Sequence, residues 1–223
     1  MTRVVAALDH TLDPRPLVLA CGALAGDLRA VLAAAGLSAH IEVEYLPANL
    51  HNRPGRIAPE LRPRLQAASD AGRPVFVAYA DCGTGGALDA LLAQFPGTQR
   101  LPGAHCYELF AGAETFAALH DEELGTFYLT DFLARHFDAL VWSGLGLDRH
   151  PELRDTYFAR YRRVVLLSQA PGPDADLLER ARAAADRLGL AFVHRPTGRA
   201  GLRAPVLAFA GSRFAQARHA AAR

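Results

Sequence analysis

Short apolar runs separated by helical segments are the feature that most constrains the fold of this chain. The runs "PLVLACG", "RPVFVAYADCG" and "RVVLLSQ" are nearly continuously apolar. Strands of this kind are typical of parallel sheets that are covered on both faces. Between them, apolar residues recur at helical spacing, as in "AGDLRAVLAAAG" and "DADLLERARAAADRLGL". The alternation predicts an α/β fold with a mostly parallel sheet and helices on both faces.

Weaker patterns fill the rest of the chain. "AHIEVEYLP" predicts a second strand, "PELRPRLQAASDAG" a helix despite Pro63, and "GALDALLAQFP" a short helix. "AFVHRP" is interpreted as an edge strand, and "GLRAPVLAFAG" as one more strand.

The middle of the chain carries little strand signal. "GTFYLTDFLARHF" is interpreted mostly as the buried face of a helix, with an N-cap at Thr126 or Thr130. The segment 113–162 is therefore predicted to be a helical insertion that caps the C-terminal edge of the sheet. It would belong to a single α/β domain over 16–200, flanked by extensions at 1–15 and 201–223.

Composition excludes several classes of function. Lys and Arg number 24 against 23 Asp and Glu, so no basic surface for nucleic acid is expected. No apolar run approaches 18 residues, so we expect no membrane span and a cytoplasmic protein. The cysteine count of three is odd and argues against a disulfide framework.

The cysteines fall at chemically exposed points of the predicted fold. Cys21 and Cys82 each end a predicted strand and precede a glycine, while Cys106 lies in the loop segment "GAHCYE". Ligands of open α/β sheets bind at the carboxyl ends of the strands. The alternative is that each thiol is an ordinary small hydrophobic side chain, which is the usual role of free cysteine. We expect instead that the three thiols form one metal site whose ligands come from separate segments of the chain.

Three thiolate ligands suit an iron–sulfur cluster or Zn²⁺, and the wide spacing of single cysteines favours the cluster. His51 in "NLHNRP" and His105 are the predicted fourth ligand or acid/base group. Glu108 and Asp131 are further predicted acid/base residues beside the site, and Tyr128 is predicted to contact the cofactor.

The stretch "DCGTGGALDAL" also resembles loops that approach a ligand closely. Its glycines match neither G-x-G-x-x-G nor a P-loop, so a nucleotide is not predicted. Backbone around these positions is instead expected to contact a cofactor or substrate. The predicted contact residues are Gly22, Asp81, Gly83, Thr84, Gly85 and Gly86.

Several blocks together resemble one family. "ACGAL", "LPANLHNRP", "YADCGTGG", "PGAHCYELFAG", "GTFYLTDFLARHFD", "GLGLDRHPEL" and "YFARYRRVVLLSQ" are similar to domain of unknown function 1638, over about Leu17 to Gly198. Genes of this family often lie beside corrinoid proteins and methylamine- or betaine-type methyltransferases. The resemblance implies a role in corrinoid-linked methyl transfer or one-carbon metabolism. The chain lacks D-x-H-x-x-G, so it is not expected to carry the corrinoid itself.

The leading hypothesis is thus a metal-centred protein that acts on a small molecule, with a corrinoid protein or methyltransferase as partner. One alternative is a metal-free accessory or small-molecule-binding partner of a methyltransferase system. Another is an enzyme that uses Cys82 as a nucleophile, with its pKa lowered at a helix N-terminus.

Overall fold

The structure, a computed structural model, describes residues 15–172 and 174–221, and for residues 213–221 only the backbone. The predicted extension at residues 1–15 lies outside the described residues except for Arg15. The strands are β1 (Leu17–Cys21), β2 (Glu42–Leu46), β3 (Val75–Ala78), β4 (Gln99–Arg100), β5 (Thr126–Thr130), β6 (Arg163–Ser168) and β7 (Ala191–Pro196). The α-helices are α1 (Ala25–Ala34), α2 (Ile57–Asp70), α3 (Ala87–Leu92), α4 (Cys106–Ala111), α5 (Ala113–Glu122), α6 (Asp131–Arg135), α7 (Leu153–Tyr157), α8 (Ala175–Leu188) and α9 (Ala200–Ala221).

The predicted α/β class with parallel strands is confirmed, and the strands divide into two sheets. Sheet A has the order β2-β1-β3-β4, and sheet B has the order β5-β6-β7. Every pairing between neighbouring strands is parallel. The central strands β1, β3 and β6 are almost wholly buried, as continuous apolar runs require.

Helices cover both faces of sheet A. On one face Val18 and Phe76 pack against Leu28 of α1 and Phe209 of α9. On the other face the core is built with α2 and α3, and its central members are Leu19, Val77, Leu61, Leu65 and Leu91. Helix α1, which follows β1, and helix α3, which follows β3, lie on opposite faces, and the chain continues from these two strands to opposite sides of the sheet. This reversal is the topological switch point, where open α/β sheets bind ligands.

Sheet B is also packed on both faces. Leu129, Val164 and Leu166 contact α6 and α8 on one face, and Tyr128 with Val165 contacts α5 on the other. Helix α8 begins where Asp174 accepts a hydrogen bond from the Leu177 amide (3.3 Å) and ends at Gly189, whose φ is +72°. The strongly amphipathic pattern of this segment therefore predicted its helix correctly.

Two predicted elements differ from the structure. The segment 113–162 is not helical throughout, because "TFYLT" forms β5 and pairs with β6. Thr130 does cap the following helix, since its side chain accepts a hydrogen bond from the Leu133 amide (3.3 Å). "GLRAPVLAFAG" lies in α9 rather than in a strand.

Helix α9 completes the first core. Its buried residues Leu202, Val206, Phe209 and Ala210 follow a helical spacing and pack with sheet A. The first part of the predicted extension 201–223 therefore contributes to the core. In the described part of the chain, no helix combines the length and the apolar character needed to cross a membrane.

Candidate functional site

Cys21 ends the strand that borders the switch point. It is the last residue of β1, which lies between β2 and β3 in sheet A. Its backbone is extended (φ −62°, ψ 132°), and a short 3₁₀ turn, Gly22–Leu24, follows directly. Gly22 leaves no room for a side chain, because a Cβ there would lie 2.8 Å from the Leu46 carbonyl oxygen. Close packing against β2 therefore explains Gly22, which we predicted to contact a cofactor.

Cys82 lies in a loop just beyond the neighbouring strand β3. Its φ is +52°, and it is the only residue other than glycine with a positive φ in the described chain. A left-handed conformation costs an ordinary residue about 1–2 kcal/mol. Strain of this kind concentrates at functional sites, where the surrounding structure holds it in place.

Cys106 is brought to the same edge by backbone hydrogen bonds between two loops. The Asp81 amide donates to the Gly103 carbonyl (3.1 Å), and the Cys82 amide donates to the Ala104 carbonyl (2.8 Å). Cys106 then begins α4 rather than lying within a loop. We call this region, with Cys21, Cys82 and Cys106, the thiol edge.

The three thiols of the thiol edge share one electrostatic environment. Each side chain is partly exposed to solvent, so none is a fully buried core residue. Burial and the neighbouring Cys21 raise the pKa of the Cys82 thiol to about 11. Burial raises the pKa of Cys106, and Cys82 and Cys21 raise it further. Burial also raises the pKa of Cys21.

The thiols nevertheless do not form a ready set of ligands. Among the residues that the structure describes, no group of three or more His, Cys, Asp and Glu side chains is arranged so that it could hold a metal ion. The mutual effect on pKa acts over a longer range than a ligand bond. It indicates that the thiols share a region, and the sulfur atoms must move closer to share a metal.

The predicted reactive state of Cys82 is wrong. A nucleophilic cysteine needs a lowered pKa, whereas the pKa of Cys82 is raised. The reason is structural, because α3 begins only at Ala87 and its N-terminus does not contain Cys82.

The loop after Cys82 is held by Asp81. The Asp81 carboxylate accepts hydrogen bonds from the Thr84 hydroxyl (2.6 Å) and from the amides of Gly85 (3.2 Å) and Gly86 (3.0 Å). These bonds, the one from Thr84 above all, lower the pKa of Asp81. Gly83, like Gly85 and Gly86, has a positive φ. Asp81 and Thr84, predicted to contact a cofactor, thus have an internal role in shaping this loop.

His51 and His105 lie near each other beside this region. Burial lowers the pKa of His51, and His105 lowers it further, so the His51 ring is neutral at pH 7. The neighbouring Asn52 fixes the segment, because its side-chain amide donates to the Leu140 carbonyl (2.7 Å). His105 is the N-cap residue of α4 and directly precedes Cys106.

The predicted residues Glu108, Asp131 and Tyr128 have other partners. Glu108 accepts a hydrogen bond from the Ala104 amide (2.8 Å) and so braces the start of α4. The Asp131 carboxylate accepts from the amides of Gln169 and Ala170 (3.0 Å each), within sheet B. Tyr128 lies in β5 and lines a cavity of about 740 Å³.

Most of the chain matches the model of one protein family. A model matches residues 45–204, which is more than half of the chain. The chain belongs to the family described as protein of unknown function (DUF1638). A search of curated proteins gives no match. The DUF1638 match includes Cys82, Cys106, His51 and His105, and Cys21 precedes it.

Sequence reasoning missed Tyr79, which sits within the thiol edge of this DUF1638 chain. Its side chain is buried, and the Cys21 thiol is near enough to raise its pKa further than burial alone does. The nearest polar partner of its buried hydroxyl is the Cys21 thiol, and this contact lowers the pKa of Cys21 against the larger effect of burial. Tyr79 therefore helps to position Cys21 at the thiol edge. A polar residue directly after the apolar run "VFVA" was the available signal.

Proposed function

We propose that the thiol edge holds a soft metal centre, an iron–sulfur cluster in first place and Zn²⁺ in second. The observation that supports the proposal is that Cys82 is near enough to Cys21, and Cys106 to both, for each thiol to affect the pKa of its neighbour, although the three are not arranged as ligands. They come from three separate segments of the chain, and each stays partly exposed. The residues that would hold the centre are Cys21, Cys82 and Cys106.

A bound cation would relieve the electrostatic cost of forming thiolates at this edge. Burial and mutual repulsion raise the pKa values of the thiols, so they stay protonated at neutral pH. A metal ion binds thiolates and displaces their protons. Its positive charge would offset both the cost of burying the thiolates and the repulsion between them. Thiols with raised pKa values are poor nucleophiles, which argues against covalent catalysis by cysteine.

Backbone hydrogen bonds supply the second layer of such a site. The amide of Ala23 lowers the pKa of Cys21, and the amides of Cys106 and Tyr107 lower that of Cys106. The Cys106 amide does the same for Cys82. Hydrogen bonds to sulfur are among the features that tune iron–sulfur centres.

The proposal requires a local closure of the thiol edge. Because the sulfur atoms are not arranged as ligands in the described structure, binding must draw them together. Such a movement of Cys82 would act against the hydrogen bonds with which Asp81 holds the loop that follows it. His51, whose pKa is lowered, or His105 would complete the coordination or act as an acid/base group, since a metal-bound imidazole must be unprotonated on the ligating nitrogen.

We place this centre in corrinoid-linked methyl transfer or one-carbon metabolism, with a corrinoid protein or methyltransferase as partner. The support for this part is the family resemblance. A cluster in that setting supplies electrons or a Lewis-acid iron, and zinc supplies an activated thiolate or water. Small-molecule binding at the switch point is part of the same proposal.

The test is elemental analysis and absorption spectroscopy of full-length protein purified without oxygen. We expect stoichiometric iron with acid-labile sulfide, or stoichiometric zinc. Each of Cys21→Ser, Cys82→Ser and Cys106→Ser should lose most of the metal while keeping the native circular dichroism spectrum. His150→Asn, a change of an exposed histidine in another segment, should keep it. Protein that is metal-free as isolated, or metal content that survives all three serine variants, would sink the proposal.

A further inference from the structure

A cavity adjoins the thiol edge but is built from residues other than the three cysteines. Its volume is about 740 Å³, within the range of small-molecule sites. It lies beside β5, between α5 and the segment that ends α7 and leads into β6. Tyr107, the residue after Cys106, forms one of its walls.

Aromatic rings line this cavity. The ring of Tyr128 lies 5.6 Å from that of Tyr107 and 5.0 Å from that of Phe116, measured between centroids. Tyr157 and Tyr161 contribute further rings from the opposite segment. Flat rings at these separations form surfaces against which a planar ligand can stack.

The mouth of the cavity is unusually apolar for a protein surface. The described chain has three large hydrophobic residues that are clearly exposed, and two of them, Leu124 (71%) and Tyr157 (46%), line this cavity. Apolar groups that stay exposed around a cavity are typical of binding sites.

The polar groups of the cavity favour a negative charge on the ligand. Arg160, His105 and His120 line it, and among the described lining residues there is no carboxylate. Arg163 nearby is already used, because it donates to the Thr126 hydroxyl (2.9 Å) and the Leu119 carbonyl (2.8 Å) and pairs with Glu122 (3.0 Å). The Arg160 side chain, in contrast, has no hydrogen bond or ion pair with a described residue.

Tyr128 contributes its ring rather than its hydroxyl to the cavity. The residue is 8% exposed, and its hydroxyl oxygen is buried beside Thr126, which lowers the pKa of Tyr128 against the larger effect of burial. Thr126 donates to the Glu123 carbonyl and accepts from Arg163, so this polar group belongs to the wall of the cavity.

We infer that this cavity binds a planar aromatic acid. The ring system stacks among Tyr107, Tyr128 and Tyr157, and the anionic group contacts Arg160. This inference uses none of the three cysteines, and its charge selection rests on Arg160, which has no part in the proposed metal centre.

Calorimetry with three derivatives of the same aromatic ring tests which ligand charge the cavity prefers. The probes are 1-naphthoate, its neutral carboxamide and the cation 1-naphthylmethylamine, each titrated into the full-length protein. We expect 1-naphthoate to bind about tenfold more tightly than the carboxamide, as one charge-assisted hydrogen bond implies. The amine should bind most weakly. Equal binding of the acid and the amine, or no binding of the acid at millimolar concentration, overturns the inference.

Two exposed positions test the location. Arg160→Gln should weaken 1-naphthoate about tenfold and leave the carboxamide unchanged. Tyr157→Ala should weaken both by a similar factor of about five, since it removes an aromatic wall. Arg203→Gln in α9 is the matched control, because Arg203 is exposed and does not line the cavity. If 1-naphthoate binds all of these variants as it binds the unaltered chain, it binds elsewhere and the inference fails.

Discussion

The carboxyl ends of the two sheets use polar residues in opposite ways. At sheet B, Asp131 and Gln169 bond to each other's backbone, and the Ser168 hydroxyl pairs with the His194 ring (2.8 Å). At sheet A, the thiol edge has three partly exposed cysteine residues whose thiols have raised pKa values, and the buried Tyr79 hydroxyl lies against one of them, Cys21. One edge is closed by its own hydrogen bonds, and the other is left open.

The difference shows what separates a candidate site from a structural network. Both edges carry reactive residue types after parallel strands, so residue type and position do not distinguish them. Hydrogen-bond satisfaction does, because buried polar groups that serve the fold are paired within it. The strained residue Cys82, with φ +52°, lies at the thiol edge. The paired residues Asp131 and Gln169 at sheet B serve stability, and we propose that those of the thiol edge bind a ligand.

The largest expected effect is on stability, at the carboxyl edge of sheet B where Asp131 and Gln169 are paired. Asp131→Ala removes the acceptor of two backbone hydrogen bonds and should lower the free energy of unfolding by about 3 kcal/mol. Asp131→Asn, which keeps one carbonyl oxygen as an acceptor, should lower the free energy of unfolding by about half as much. Cys106→Ser at the thiol edge should lose about 1 kcal/mol or less in chelator-treated protein. Urea unfolding measures all three, and a smaller loss for Asp131→Ala than for Cys106→Ser would reverse the comparison.

The next effect tests strain at the thiol edge. In metal-free protein, Cys82→Gly should be more stable than Cys82→Ala by about 1 kcal/mol, because only glycine adopts a positive φ without cost. Cys21 provides the control, since its φ is −62°. There the alanine variant should equal or exceed the glycine variant. Equal stability of the two Cys82 variants in urea would show that the loop is not strained.

The smallest effect is a pH dependence of the closed edge. Burial lowers the pKa of His194, with contributions from Arg182 and Arg195, while Asp131 opposes them. The unfolded chain therefore takes up a proton at a higher pH, near 6.5, than the folded chain does. Stability from this group is present at pH 7 and is lost as the pH falls through about 6.5 towards the lower folded value.

His194→Gln isolates this contribution. The stability difference between the unaltered chain and the variant should shrink as the pH falls from about 7 to 5.5, by less than about 1 kcal/mol. Urea unfolding of both proteins at each pH cancels the contributions of other groups. A difference that stays constant, or that grows on acidification, contradicts the lowered pKa.

The class of fold was predictable because its signals are local. The apolar runs of β1, β3 and β6 and the amphipathic pattern of α8 identify their elements without tertiary information. The wrong predictions concern segments whose local pattern fits a strand and a helix equally well. "TFYLT" and "GLRAPVLAFAG" are both short and apolar, and only their packing against β6 and against sheet A separates strand from helix. For the same reason the division into two sheets was not visible.

The site was predictable in its position but not in its chemistry. Parallel strands end at one edge, so Cys21 and Cys82 could be expected to approach each other. The raised pKa of Cys82, the partners of Asp81 and Glu108, and the buried hydroxyl of Tyr79 depend on neighbours from distant segments.

The sequence by itself determined the alternation of strands and helices and therefore the edge at which the cysteines lie, because hydrophobic periodicity is encoded residue by residue. Only the tertiary structure decided which polar groups are paired at each edge and which remain open. Pairing depends on distances between segments that are tens of residues apart, such as Asp131 and Gln169, and no local pattern specifies those distances.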